Sequence, residues 1–215
     1  MLKSLYKEIN WNRVGAIGFD LDGTLYDEKE FISQVYQDIS CYIGKLSCHK
    51  QEIIYRYMLR EWIQYGSSYY HIFENTLEKF CNKKIDLNNH AKSCLDIFRN
   101  FSPNISLSPG NKRLLDNLKG NYPLFLITDG KPKLQNKKIK SLKLSIWFDK
   151  FLVCITGSLE GNAQKPSRKS FDHLDLKFYF KDDKEIIYFG DRQIDYEFCK
   201  NTGMRFIQIN SGILG

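Results

Sequence analysis

The chain has no CxxC pair. Its six cysteines (Cys41, Cys48, Cys81, Cys94, Cys154, Cys199) stand far apart, and its four histidines do not cluster with them. Structural zinc needs closely spaced ligands, so no such site is expected. Reduced thiols in a cytoplasmic protein are the simplest account. No apolar run is long enough to span a bilayer, and the opening "MLKSLYKEINWN" lacks the apolar centre of a signal peptide. Internal repeats and low-complexity stretches are missing too. A serine-hydrolase elbow, GxSxG, does not occur, nor does a GxxxxGK[ST] phosphate loop. What remains is 215 residues, 42% hydrophobic and 14% aromatic. That suits one domain with a real core, or one domain carrying a sizeable insertion.

Lys plus Arg exceeds Asp plus Glu by 32 − 25, a net charge of +7. The excess is spread out apart from one patch, where six lysines lie between Lys131 and Lys143 in a helix-like stretch. This reads as an ordinary solvated face, one that can also attract anionic substrates. No nucleic-acid partner is expected from it.

Five short apolar runs read as strands: Val14–Phe19, Tyr122–Thr128, Phe151–Thr156, Glu185–Gly190 and Arg205–Ile209. They are β-branched and aromatic with little alternation, as in a parallel sheet buried on both faces. Helix-like stretches lie between them at Asn111–Lys119, Lys133–Leu144, Ser167–His173 and Asp195–Thr202. The alternation predicts an α/β, Rossmann-like doubly wound fold with a mainly parallel sheet. About 80 residues after the first strand do not fit this scheme, and a structureless loop of that length is implausible. Glu30–Ile43, Lys50–Tyr65, Tyr69–Phe80 and Asn89–Arg99 all read as helices. The expected division is therefore residues 1–25 and 108–215 as the core, and 26–107 as an inserted helical subdomain. "FSPNISLSPG" would be the return linker.

Doubly wound sheets build their sites at the carboxyl ends of strands. The first strand ends in "FDLDGT", offering Asp20, Asp22 and Thr24; the second ends in "ITDG", offering Thr128, Asp129 and Gly130. "QKPS", beyond the third, offers Lys165, and "FGDRQID" at the fourth offers Asp191 and Asp195. Singly, each is an ordinary turn, loop or cap signal. Their order at successive strand ends is far less ordinary. A calcium EF-hand starting at Asp20 fails, since Thr24, Leu25 and Phe31 fall where an acid, Gly and Glu are needed.

"DLDGT", "TDG", "KP" and "GDRQID" resemble the four motifs of the haloacid dehalogenase superfamily of phosphohydrolases, and the insertion resembles its class I helical cap. "TDGKPKLQNKKIKSL" is similar to the TDG…Q..KI..L signature of a narrower branch. "IFRNFSPNISL" is similar to that branch's YRxHxPxI pattern, with Phe101 where the pattern has His. The branch is associated with surface-polysaccharide sugar pathways.

The resemblance implies a Mg²⁺-dependent phosphatase acting on a small phosphorylated metabolite, a sugar phosphate first among the candidates, through an aspartyl-phosphate. Asp20 would be the nucleophile. Asp22 would protonate the leaving oxygen and then take a proton from water. Thr128, Asp129, Gly130 and Lys165 would hold the phosphoryl group, and Asp20, Asp191, Asp195 and the backbone carbonyl of Asp22 would hold the metal. Tyr26, Arg56 and Arg99, with the Tyr65–Tyr70 group, are the cap residues able to meet substrate. Tyr55, Met58, Leu59 and Trp62 read instead as a core stripe. A sugar-phosphate mutase, a nucleotidase and a catalytically idle regulatory protein are the other readings. A monomer or homodimer without a membrane or nucleic-acid partner is expected.

Overall fold

The computed structural model describes residues 6–67, 69, 71–82, 85–174, 176 and 184–209. In chain order, β1 (Val14–Phe19) is followed by the helices α1 (Glu28–Leu46), α2 (Gln51–Tyr65), α3 (Ile72–Phe80) and α4 (Leu87–Asn100). Then come α5 (Pro109–Lys119), β2 (Leu124–Thr128), α6 (Pro132–Ser141) and β3 (Val153–Ile155). The chain continues through α7 (Lys169–His173), β4 (Glu185–Gly190), α8 (Gln193–Thr202) and β5 (Arg205–Gln208). Two compact units result: Met1–Glu28 with Ile105–Gly215, and Lys29–Asn104.

In the first unit the five strands form one parallel sheet in the order β3-β2-β1-β4-β5. The α/β expectation is met. β1 is the central strand, paired on both sides by β2 and β4, and all six of its residues are buried. One face packs Ala16, Phe125, Ile127, Cys154 and Tyr188 against Phe198, Cys199 and Met204. On Phe19's side the Phe19 ring stacks on Phe189 with centroids 5.1 Å apart. On the Ala16 face Gly18 permits close packing: a Cβ there would lie 2.2 Å from the Phe125 ring.

Several boundaries shift from the sequence reading for local reasons. β2 starts at Leu124, since Tyr122 N–H closes α5 by donating to Leu118 O at 2.9 Å. β3 is only three residues long. Asp149 Oδ1 accepts from Phe151 N–H at 3.0 Å and caps a 3₁₀ turn over Lys150–Leu152, leaving Phe151 exposed. α6 begins at Pro132, whose fixed φ suits a first helical position. α8 begins at Gln193, so Asp195 lies within its first turn, where it accepts from the Arg192 N–H at 3.1 Å.

The second unit is helical, α1 to α4. Its interior is aromatic: Phe31 meets Phe98 edge-on at 5.2 Å, and Tyr57 meets Phe80 at 5.4 Å. Asp86 caps α4 through the Asn89 N–H at 3.1 Å. The expected core stripe on α2 is buried chiefly at Met58, joined by Ile54; Trp62 keeps its ring partly exposed and donates to Ser67 Oγ at 2.8 Å. Of the Tyr65–Tyr70 group, Ser68 and Tyr70 lie outside the described residues. All six cysteines are free thiols. Among the described residues no helix is long and apolar enough to cross a membrane.

Candidate active site

β1 carries an unbroken apolar run into the sheet and stops at Asp20, whose N–H donates to Phe189 O at 2.9 Å. That anchor fixes the backbone of an aspartate only 1% exposed. The chain then turns. Leu25 N–H donates to Leu21 O at 3.0 Å, and Asn111 Nδ2 donates to Leu25 O at 2.7 Å from α5. Gly23 makes the turn possible. Its φ is +76°, and a Cβ would lie 2.3 Å from Asp191 Oδ2 at the end of β4. Thr24, buried, also reaches across to β4, its Oγ1 lying 3.4 Å from Asp191 Oδ1.

Lys165 arrives from the loop beyond β3. Its N–H donates to Asp129 Oδ1 at 3.1 Å, and Thr156 Oγ1 donates to the same oxygen at 2.9 Å. Asp129 therefore fixes the loop that delivers the lysine. Lys165 Nζ, fully buried, donates to Asp20 Oδ1 at 2.6 Å and to Asp195 Oδ1 at 2.5 Å. Burial would lower its pKa, but the adjoining Asp20 and its neighbours hold it well above the usual lysine range. Burial pushes Asp20 up, to about 7, against the pull of Lys165. Burial likewise raises Asp191, against the pull of Arg192.

Asp22 occupies a different environment. Its Oδ1 accepts from Lys138 Nζ at 2.6 Å and from the Tyr26 hydroxyl, and its Oδ2 accepts from Gln135 Nε2 at 2.9 Å. Burial alone would raise this carboxyl; the Lys138 ammonium and these three hydrogen bonds take it below the usual carboxylate range. Gln135 Nε2 also lies 2.6 Å from Thr128 Oγ1 and 3.1 Å from Asp129 O.

One oxygen of this cluster stands apart. Asp20 Oδ2 is buried with no hydrogen-bond partner. Asp20, Asp191 and Asp195 each offer a carboxylate oxygen, all within 4.8 Å of one another. A buried, unpartnered carboxylate oxygen is costly, and an all-oxygen donor set of this kind fits a hard divalent cation such as Mg²⁺.

The sequence pattern of the haloacid dehalogenase-like hydrolases matches residues 17–209. The chain belongs to that family. The chain is 27% identical over 209 residues to a glyceraldehyde 3-phosphate phosphatase of Pyrococcus abyssi, covering 93% of this chain and 82% of that protein. Among solved structures, a haloacid dehalogenase-superfamily hydrolase of subfamily IA from Geobacter sulfurreducens superposes with a TM-score of 0.67 at 19% identity, over 91% of this chain and 87% of the other. YfnB from Bacillus subtilis, solved bound to magnesium, superposes with a TM-score of 0.64 at 15% identity, over 94% and 89%. The expected superfamily and fold are those found.

Within this haloacid dehalogenase-like core, Asp20, Asp22, Thr128, Asp129, Lys165, Asp191 and Asp195 are joined through the contacts above, and Gly130 lies against Gln135. Tyr26, expected in the inserted subdomain, falls in the same unit as the core and is buried, its hydroxyl donating to Asp22 Oδ1. Arg56 and Arg99 belong to the other unit and are exposed; Arg56 pairs with Glu52 at 2.6 Å. Three further residues were not singled out for the site. Gln135 and Lys138 reach it from α6. Arg192 is half-buried with Nε lacking a partner, and Asp20 is among the acids that raise its pKa. The signal for the first pair was the Q..K spacing, which places both on one helix face.

Proposed function

We propose that this hydrolase is a Mg²⁺-dependent phosphatase that cleaves a small phosphorylated sugar through a phosphoryl group carried on Asp20. The observation that carries the reading is the contrast between two carboxylates two residues apart. Asp20 has one oxygen on Lys165 and the other unpartnered. Asp22 has both oxygens engaged by donors. The first is arranged to attack; the second is arranged to handle a proton.

Asp20 Oδ2 attacks phosphorus, and the ester oxygen departs with a proton from the Asp22 carboxyl. Water then attacks the aspartyl-phosphate while Asp22 takes a proton from it, which restores Asp20 and releases inorganic phosphate. Lys138 keeps Asp22 ionised at rest, the form the second half needs. A phosphate dianion beside it opposes that ionisation and favours the protonated form for the first half. Thr128 and Lys165 offset charge on the transferring group. Asp20, Asp191 and Asp195 would hold Mg²⁺, which supplies the positive charge that lets an anionic nucleophile approach an anionic phosphate. The preference for a small phosphorylated sugar is supported by the Pyrococcus relative, named for glyceraldehyde 3-phosphate.

Phosphate release from glyceraldehyde 3-phosphate, other short sugar phosphates and nucleoside monophosphates tests this. With Mg²⁺, at least one short sugar phosphate should be hydrolysed faster than any nucleotide. A chelator should bring the rate to background, and added Mg²⁺ should restore it. An unchanged rate in chelator removes the metal from the account. No release from any ester with Mg²⁺ removes the phosphatase.

A further inference from the structure

The lysines of α6 and its flanks do not share one environment. Lys131, Lys133 and Lys140 are exposed, whereas Lys138 is 3% exposed. Gln135, one helical turn earlier on the same face, is 2% exposed. Burying an ammonium and a primary amide is costly unless each finds partners. Both reach Asp22. A carboxylate offers about four acceptor positions. Here Tyr26, Lys138 and Gln135 take three of them, so the Asp22 side chain is held from both oxygens. Gln135 also touches Thr128 Oγ1 and Asp129 O, tying the proton-handling group to the end of β2.

We propose that Lys138 and Gln135 are positioning residues for Asp22, holding its carboxyl where the leaving oxygen receives its proton and linking that position to Thr128. The proposal rests on the phosphatase reading above. Neither residue need touch substrate. Their removal should therefore weaken proton transfer selectively and spare the attack of Asp20 on an ester whose leaving group needs no proton.

The test uses two esters: an alkyl sugar phosphate, whose alkoxide must be protonated, and p-nitrophenyl phosphate, whose nitrophenolate departs unaided. Lys138→Met and Gln135→Met are compared with the wild-type protein, with folding checked by circular dichroism. The readouts are single-turnover rates of alcohol release and of nitrophenolate release. Single turnover isolates the first step from the water step, which also needs Asp22. Lys138→Met should slow alcohol release by roughly 10- to 100-fold, a part of what a general acid contributes, because the loss of aim outweighs the greater proton occupancy of Asp22 once the ammonium is gone. Nitrophenolate release should fall less than about 3-fold on the same reasoning. Gln135→Met should show the same selectivity at smaller size, and it decides the matter if Lys138→Met does not fold. Lys138→Arg should recover part of the alcohol rate. Equal losses on both esters, or no loss on either, overturn the inference while leaving the phosphatase reading intact. A wild-type protein that cleaves neither ester overturns that reading, and the inference with it.

Discussion

Asp20→Asn is expected to lose at least about 10³-fold in kcat on every phosphate ester, the scale seen when a covalent nucleophile is removed. An amide nitrogen or oxygen at this position cannot form the acyl phosphate, and the neighbouring Asp22 is held by three donors on another side of the turn. The loss should not come from misfolding. Burial raises Asp20 to about 7 from the ordinary value of 3.8. An acid raised in this way stabilises the fold when protonated, and that contribution is lost as pH rises from about 4 through about 7. At pH 8 without metal, Asp20 is thus ionised at a cost that Asn does not carry, while Lys165 keeps Asp195 as its partner. Thermal unfolding in chelator at pH 8 should place the variant at or above the wild-type midpoint. A midpoint well below it would mean that Asp20 is chiefly structural.

Lys165→Met should damage both stability and rate. Lys165 is the shared cation of two buried carboxylates, and its own backbone is fixed by Asp129. Without the ammonium, Asp20 and Asp195 face each other uncompensated. Breaking a buried pair from one side costs roughly 3–5 kcal/mol. A urea titration in chelator at neutral pH should register most of that loss. Added Mg²⁺ should recover part of it, because a bound cation restores positive charge to the same acids. The rate with Mg²⁺ should still fall by on the order of 10²-fold or more, since a positioned donor to the transferring group is gone. Unchanged stability with an unchanged rate would return Lys165 to an ordinary loop.

The strands were legible because burial on both faces forces apolar, β-branched and aromatic runs, and β1 and β4 coincide with their expected spans. The acids at the strand ends were legible for a related reason: polar residues directly after such runs have few places to go. What the sequence concealed is side-chain direction. Lys138 reads as one of six lysines on a wet face until the helix is laid beside the turn after β1. Its hydrocarbon stem follows the buried face, and its charge meets Asp22. Tyr26 was counted among the inserted residues able to meet substrate; that its hydroxyl donates to Asp22, through the turn at Gly23, was not visible in the sequence. Thr24 bonds to Asp191 across the sheet, a partner 167 residues away that no local pattern can name. The shortening of β3 depended on one cap, Asp149, outcompeting the strand propensity of Phe151.

The central claim is that the phosphoryl group is carried by Asp20, and the most direct measurement is to trap it there. The Asp22→Asn protein should form phosphoenzyme from an activated ester with Mg²⁺ and hydrolyse it slowly, since the group that deprotonates the attacking water is missing. Acid quenching, digestion and mass spectrometry then locate the modification. The account predicts a hydroxylamine-labile phosphoryl group on the peptide containing Asp20, absent when Asn also replaces Asp20. A phosphoryl group on any other residue, or steady turnover by the wild-type protein with none at Asp20, would contradict it.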